Sequence, residues 1–238
     1  MKQRLDVLMV KRWLAQSRSQ AENLIRLGQV MVNGVPVQKA GHFVLETDDI
    51  SLSSDERYVS RAGLKLASVS QALGLDFQTK TVLDVGSSTG GFTDYALQHG
   101  ARKVFAVDVG TEQLHPSLRG NSAIELHEKT DIRDFRPTEP VDIVVMDVSF
   151  ISLREVLPQI ATFCSPTTQV VAMLKPQFEA GRQQINKGII KNDAIRRQIL
   201  KDFEAWVRRY FVIQDKKDSE VHGSKGNRER FYLLKIIS

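Results

Sequence analysis

Residues 81–93 read TVLDVGSSTGGFT. An apolar strand, residues 81–85, runs into Gly86, then the small polar run Ser87-Ser88-Thr89, then Gly90-Gly91. The spacing is neither G-x-G-x-x-G nor G-x-x-x-x-G-K-[ST], so the loop carries neither the dinucleotide fingerprint nor the lysine-bearing phosphate cradle. A helix follows over 91–98 and stops at Gly100. Strand, small-residue loop and helix in that order form the first unit of an α/β domain.

Outward from that unit the same alternation continues. A helix over 60–73, ended by Gly74, precedes it. Strands follow at 103–107, 123–126 and 141–147, then a helix over 152–163 and a strand at 169–174. The next helix, 193–210, sets Ile195, Ile199, Phe203, Trp206 and Tyr210 on one stripe. Two last strands fall at about 210–215 and 230–237, joined by a loop too short for a crossover helix, so they are expected to be antiparallel. The central strands are nearly all apolar, as when helices cover both faces. Residues 58–238 are therefore expected to form a doubly wound α/β domain with seven strands.

Residues 1–57 follow a different pattern. Leu5, Leu8, Met9 and Trp13 recur at helical spacing. Ser19-Gln20-Ala21-Glu22 has the form of a capping box opening a second helix, with Ala21, Leu24, Ile25 and Leu27 apolar and Gly28 as its stop. Val30-Met31-Val32, the Asn33-Gly34 turn and Val35-Pro36-Val37 make a hairpin, and Ile50 and Leu52 close the unit. This is a small α+β module, with the polar stretch 53–57 as linker.

Bulk properties exclude several classes. Of 238 residues, 42% are hydrophobic and 26% charged, as in a soluble globule. No apolar run approaches the roughly 20 residues of a membrane helix, and the charged N-terminal stretch is unlike a signal peptide. One cysteine, Cys164, allows no internal disulfide and reads as a buried structural thiol; the expected compartment is the cytoplasm. No His/Cys cluster offers a metal site. The net charge is +5, and residues 1–39 hold seven basic against two acidic groups, which points to an acidic partner. The stretch 46–56 is acidic in turn.

In a doubly wound sheet the ligand lies beyond the carboxyl ends of the strands. Acids stand at three successive ends: Asp84 after the first strand, Asp108 after the second, and Asp131, beside Ile132, after the third. Asp108 suits a ribose diol. Asp131 suits an exocyclic amine, with Ile132 against the base. Asp84 repels a pyrophosphate but suits an ammonium group. The ligand that meets all three is adenosine joined to a cationic methionine, that is, S-adenosylmethionine. The cofactor set is then Asp84, Gly86, Ser87, Ser88, Thr89, Gly90, Gly91 and Phe92 from the first loop. Asp108, Val109, Asp131, Ile132 and Asp147 complete it.

Asp147 ends the fourth strand and Lys175 the fifth; Lys65 lies on the helix before the first strand and Glu229 opens the last. Two lysines and two carboxylates can alternate around one pocket. These four match the Lys-Asp-Lys-Glu tetrad of FtsJ-like ribose 2′-O-methyltransferases. The chain resembles the TlyA family, often labelled hemolysin A, through YVSRAGLKL, LDVGSSTGGFTDYALQHGA, MDVSFISL, MLKPQFEAG and HGSKGNRE. Residues 4–37, RLDVLMVKRWLAQSRSQAENLIRLGQVMVNGVPV, resemble the RNA-binding domain first described in small-subunit ribosomal protein four, from which Gly41-His42-Phe43-Val44 departs.

The resemblance implies a Rossmann-like S-adenosylmethionine-dependent methyltransferase domain behind an RNA-binding domain. It implies methylation of ribose 2′-hydroxyls of ribosomal RNA at cytidine, on free rRNA or ribosomal subunits. Lys65, Asp147, Lys175 and Glu229 would be catalytic, with Lys175 taking the hydroxyl proton. Glu220 is the alternative fourth member; Glu229 is preferred for its Gly-Asn-x-Glu context. Arg4, Lys11, Arg12, Arg18 and Arg26 would contact RNA phosphates, and 179–191 is expected to form a mobile loop over the crevice. The rival expectations are an RNA-binding protein without catalysis, which a broken tetrad would betray, and a hemolysin-like membrane-active protein, which would need a membrane segment.

Overall fold

The computed structural model describes the chain except residues 1, 16, 27, 53–57, 182–188, 191, 222–225 and 238, and the side chains of residues 19 and 23. The linker expected at 53–57, most of the loop expected at 179–191 and half of HGSKGNRE lie outside the described residues.

The N-terminal module runs β1 (Lys2–Arg4), α1 (Leu5–Lys11), α2 (Arg18–Arg26), β2 (Val30–Val32), β3 (Val35–Pro36), β4 (Phe43–Leu45) and β5 (Ile50–Leu52). β3, β2 and β5 form one antiparallel sheet, and β1 pairs with β4 in a separate ribbon. Asn33 (φ 50°) and Gly34 (φ 75°) are both left-handed, as the two-residue hairpin turn requires. Leu5, Leu8, Met9, Ala21, Leu24 and Ile25 pack the two helices over Val30 and Val44.

Two expectations need correction here, and one strand pair was not foreseen. Trp13 does not continue the apolar stripe of α1. The helix closes through Trp13 N to Val10 O and Leu14 N to Met9 O, which leaves Trp13 at φ 60° and 89% exposed. The second helix starts earlier than the capping box at Ser19 indicated: Ser17 Oγ accepts from Gln20 N (3.2 Å) at its first turn. β1 and β4 were unread; three-residue strands, one of them Lys-Gln-Arg, leave too little alternation to detect.

The second domain runs α3 (Arg61–Ser70), β6 (Thr81–Val85), α4 (Gly91–Gln98), β7 (Lys103–Val107), β8 (Ile124–His127), β9 (Ile143–Met146), α5 (Leu153–Ala161) and β10 (Gln169–Leu174). It ends with α6 (Pro176–Glu179), α7 (Asp193–Val207), β11 (Phe211–Asp218) and β12 (Arg230–Ile236). Its seven strands lie in the order β11-β12-β10-β9-β6-β7-β8. β12 runs antiparallel to both neighbours, as expected for its pairing with β11, and the other pairs are parallel. One face packs Val85, Val107, Val144 and Met146 against Leu157 and Phe203; the other packs Val82 and Val104 against Leu66, Val69 and Tyr95. Cys164 sits half-buried against the first core, with its thiol pushed up to about 12 by burial.

α3 and α4 cross where side chains are missing. A Cβ on Gly91 would lie 2.8 Å from Ala62 Cβ, and one on Gly63 would meet the ring of Tyr58 and Gly91 O. Hydrogen bonds tie the N-terminal module to the second domain: Gln20 Nε2 donates to Leu114 O (2.6 Å), and Gln29 Nε2 donates to Val59 O.

Candidate active site

The register of the sheet brings four residues to one end of its central strands. Leu174 pairs with Arg230, Ala172 with Met146, and Val85 with Met146. One step beyond the first pair stand Lys175 and Glu229; one step beyond the third stand Gly86 and Asp147, so Lys175 lies two residues farther along its strand than the level of Asp147. Strands lie about 4.8 Å apart, so Glu229, Lys175 and Asp147 span roughly 10 Å of the sheet edge.

Each lysine there holds one carboxylate. Lys65 reaches the edge from α3 and its Nζ lies 2.5 Å from Glu229 Oε2, with the two side chains 12% and 3% exposed. Lys175 Nζ lies 2.5 Å from Asp147 Oδ1 and donates to Ser149 Oγ at 2.6 Å. The two lysines and two carboxylates thus pair off in a largely desolvated cluster. Burial of ions is tolerated only with such pairing. Glu220 is exposed and lies outside the cluster.

A cavity of about 450 Å³ opens beside Asp147. Its floor is apolar, with Val85, Val107 and Val156, and its rim carries Gly86, Ser88, Asp108 and Asp131. Asp108 Oδ2 accepts from Ser88 N (2.8 Å) and its Oδ1 from Gly110 N (2.7 Å), which fixes the carboxylate at the mouth. Gly86, at φ 78°, allows the loop to pass close to the next strand end; a Cβ there would come 3.1 Å from Asp147 O. Val109 and Ile132 also line the cavity. Asp131 lines it too, but both its oxygens are forked by Arg133 (2.6–3.1 Å), which holds its pKa below the usual range.

The remaining loop residues turn elsewhere. Asp84 is 1% exposed and does not line the cavity. Its Oδ2 accepts from Thr93 N (2.9 Å) and Thr93 Oγ1 (2.6 Å), on the first turn of α4. Its Oδ1 is buried with no partner, as is Ser87 Oγ. Burial pushes the Asp84 carboxyl up to about 7; Thr93 opposes the rise, and the charges of Asp147 and Asp108 add to it. Thr89 O accepts from His115 N, Gly90 lies against Leu114 and Leu118, Gly91 against α3, and Phe92 is buried beside Phe231. An orphaned carboxylate oxygen beneath the loop, a fixed carboxylate at the mouth and an apolar floor of this size fit a nucleoside carrying a cationic amino-acid tail.

Sequence reasoning missed Gln113, Ser149 and Phe150 on the cavity wall. Ser149 was legible as the neighbour of Asp147 in MDVSF. Phe150, left-handed (φ 66°) and 92% exposed, gave no periodic signal. Among the described residues no group of three or more His, Cys, Asp or Glu is placed to hold a metal.

The five basic residues assigned to RNA all have partners inside the module. Arg4 forks onto Asp6 (3.0 and 2.7 Å), which also receives Arg18 (3.1 Å). Lys11 pairs with Glu46 (2.5 Å) and Arg26 with Glu22 (3.4 Å). Arg12 donates to the carbonyls of Glu46 and Asp48, neutral acceptors that orient its charge without cancelling it.

The sheet order with its reversed β12, the small-residue turn after β6 and the cavity at the strand ends define a Rossmann-like methyltransferase domain. FtsJ-like methyltransferase matches residues 58–236 and the S4 domain matches residues 3–50. The chain belongs to the TlyA/hemolysin A family of FtsJ-like methyltransferases with an N-terminal S4 domain. It is 38% identical to Hemolysin A of Brachyspira hyodysenteriae over 98% of this chain and 99% of that one. It is 36% identical to the 23S rRNA (cytidine-2′-O)-methyltransferase TlyA of Campylobacter jejuni, over 96% and 98%. A solved structure from Streptococcus thermophilus, labelled a hemolysin, superposes with a TM-score of 0.77 at 38% identity, covering 100% of this chain and 89% of that one. No helix among the described residues is long and apolar enough to cross a membrane.

Proposed function

We propose that the protein methylates a ribose 2′-hydroxyl of ribosomal RNA, at cytidine, with S-adenosylmethionine as donor. The observation that carries this reading is the cluster Lys65–Glu229 and Lys175–Asp147 beside the cavity. The bound donor supplies an electrophilic methyl on a sulfonium. The work left to this chain is to hold the ribose hydroxyl in line and to remove its proton.

Lys175 is the proton acceptor, through Nζ in its unprotonated form, because it ends a strand beside the cavity wall. Asp147 and Ser149 fix the direction of Nζ. Glu229 fixes Lys65, whose ammonium favours the developing negative charge on the ribose oxygen. Gly86, Ser88, Asp108, Val109, Asp131, Ile132 and Asp147 hold the donor from the cavity wall, with Asp84 and Ser87 beneath the loop. Thr89, Gly90, Gly91 and Phe92 act indirectly, by setting the path of that loop. Residues 1–57 form the RNA-binding unit and 58–238 the catalytic unit. On the first, Arg12 is the strongest phosphate contact, because its partners leave its charge intact; Arg4, Lys11, Arg18 and Arg26 add to the field. The RNA arrives as rRNA or a ribosomal subunit, in the cytoplasm.

The test is transfer of labelled methyl to rRNA and to ribosomal subunits, with the site mapped by ribose-methylation sequencing. Label on a cytidine 2′-oxygen is expected. Label on a base, on protein, or nowhere with fully folded enzyme sinks the reading.

A further inference from the structure

The segment between β7 and β8 touches both functional parts of the molecule. At Gln113 it forms the cavity wall, where Ser88 Oγ donates to Gln113 Oε1 (3.2 Å). At the next residue, Leu114 O receives Gln20 Nε2 from α2 of the S4 module, at 2.6 Å, in a buried bond. Arg119 Nε donates to the same carbonyl at 3.1 Å, while Arg119 Nη2 lies 3.7 Å from Glu128 Oε1, which accepts from Gln113 N (3.3 Å). The side chains of Leu114 and Leu118 fill the space over Gly90; a Cβ there would come 2.7 and 2.6 Å from them. Thr89 O, in the glycine loop itself, accepts from His115 N (3.1 Å).

Gln20 itself is 0% exposed, on the helix that carries Arg18 and Arg26. A fully buried amide thus donates to a carbonyl 94 residues away, in the second domain. What it fixes is Leu114, and with it Gln113 on one side and the packing over Gly90 on the other.

We propose that Gln20 is a positioning residue for the cofactor cavity: the S4 module completes the wall through the Leu114 carbonyl, and RNA on α2 and donor in the cavity therefore bind with mutual coupling. The coupling is reciprocal by thermodynamic necessity. This rests on the cavity being the donor site, as proposed above.

The test uses the full chain and S-adenosylhomocysteine, titrated calorimetrically with and without an rRNA fragment. Gln20→Met keeps length and burial but removes the donor. It is expected to weaken S-adenosylhomocysteine about fivefold to tenfold, the range for one lost buried hydrogen bond, and to bring the RNA-induced gain in affinity close to one. Amide exchange over 112–119 in the free protein is expected to speed up. A residue that merely stabilised the fold would lower the melting temperature and leave both the dissociation constant and the coupling ratio alone. Arg119→Met is the second variant. Acting through the same carbonyl, it is expected to weaken binding similarly and to combine with Gln20→Met less than additively. Unchanged binding in folded Gln20→Met, or full additivity of the pair, overturns the proposal. If the wild-type chain fails to bind S-adenosylhomocysteine at all, it is the assignment of the cavity that falls instead.

Discussion

Asp84 separates two roles that its position alone leaves joined. One oxygen caps the first turn of α4; the other is buried and unpartnered. Burial raises its folded pKa from 3.8 to about 7. At about 1.4 kcal/mol per tenfold, that corresponds to at most about 4 kcal/mol. The sign runs against the usual carboxylate. Below 3.8 both folded and unfolded chains hold the proton and stability is full; as pH rises to 7 the unfolded chain ionises first, and stability is lost over that window. A cationic group placed on Oδ1 would reverse the penalty by pairing with the ionised form. Donor binding should therefore release a proton near neutrality, and affinity for S-adenosylhomocysteine should fall nearly tenfold for each pH unit below 7. Calorimetry between pH 5.5 and 8.5, in buffers of different ionisation enthalpy, counts that proton directly. Asp84→Asn should flatten the profile, weaken binding at pH 8, and yet melt no lower than wild type at that pH. An affinity independent of pH, with no proton released, would reduce Asp84 to a cap for α4 and remove it from the donor site.

Three further outcomes follow from the same geometry. Lys175→Met should lower transfer about 100- to 10,000-fold, the scale of a lost general base, while S-adenosylhomocysteine binds within a few-fold of wild type; full turnover would exclude Lys175. Gly91→Ala should cost about 1–3 kcal/mol by overpacking α3 on α4, measured by urea unfolding, whereas Gly120→Ala, with open space around its Cβ position, should cost only the left-handed backbone penalty of about 1 kcal/mol. Asp6, fully buried and held down to about 2 chiefly by its hydrogen bond from Arg4, should add about 2 kcal/mol above pH 4, lost as pH falls toward 2; Asp6→Asn should remove that acid transition from a pH-dependent melt.

The seven-stranded sheet was legible because its strands are long apolar runs punctuated by glycine, and three of the boundaries read from the sequence, 81–85, 103–107 and 169–174, are those of β6, β7 and β10. The S4 module was less so. Its helix starts and its two-stranded ribbon depend on single hydrogen bonds, such as Ser17 Oγ to Gln20 N, that leave no periodic trace. In the site, chain order placed the tetrad at strand ends, but only register brings Glu229 beside Lys175, since it depends on β12 running antiparallel. Chain order failed for Gly90 and Gly91, because glycine serves close packing as readily as ligand approach, and a sequence does not say which face a Cβ would strike. The basic residues show the same limit. Their count suggested an open phosphate-binding surface, yet Asp6 and Glu22 stand among Arg4, Arg18 and Arg26. A charge spent holding β1 and the two helices together is partly unavailable to RNA. Arg12, tied to carbonyls rather than carboxylates, is the exception that the sequence had no means of singling out.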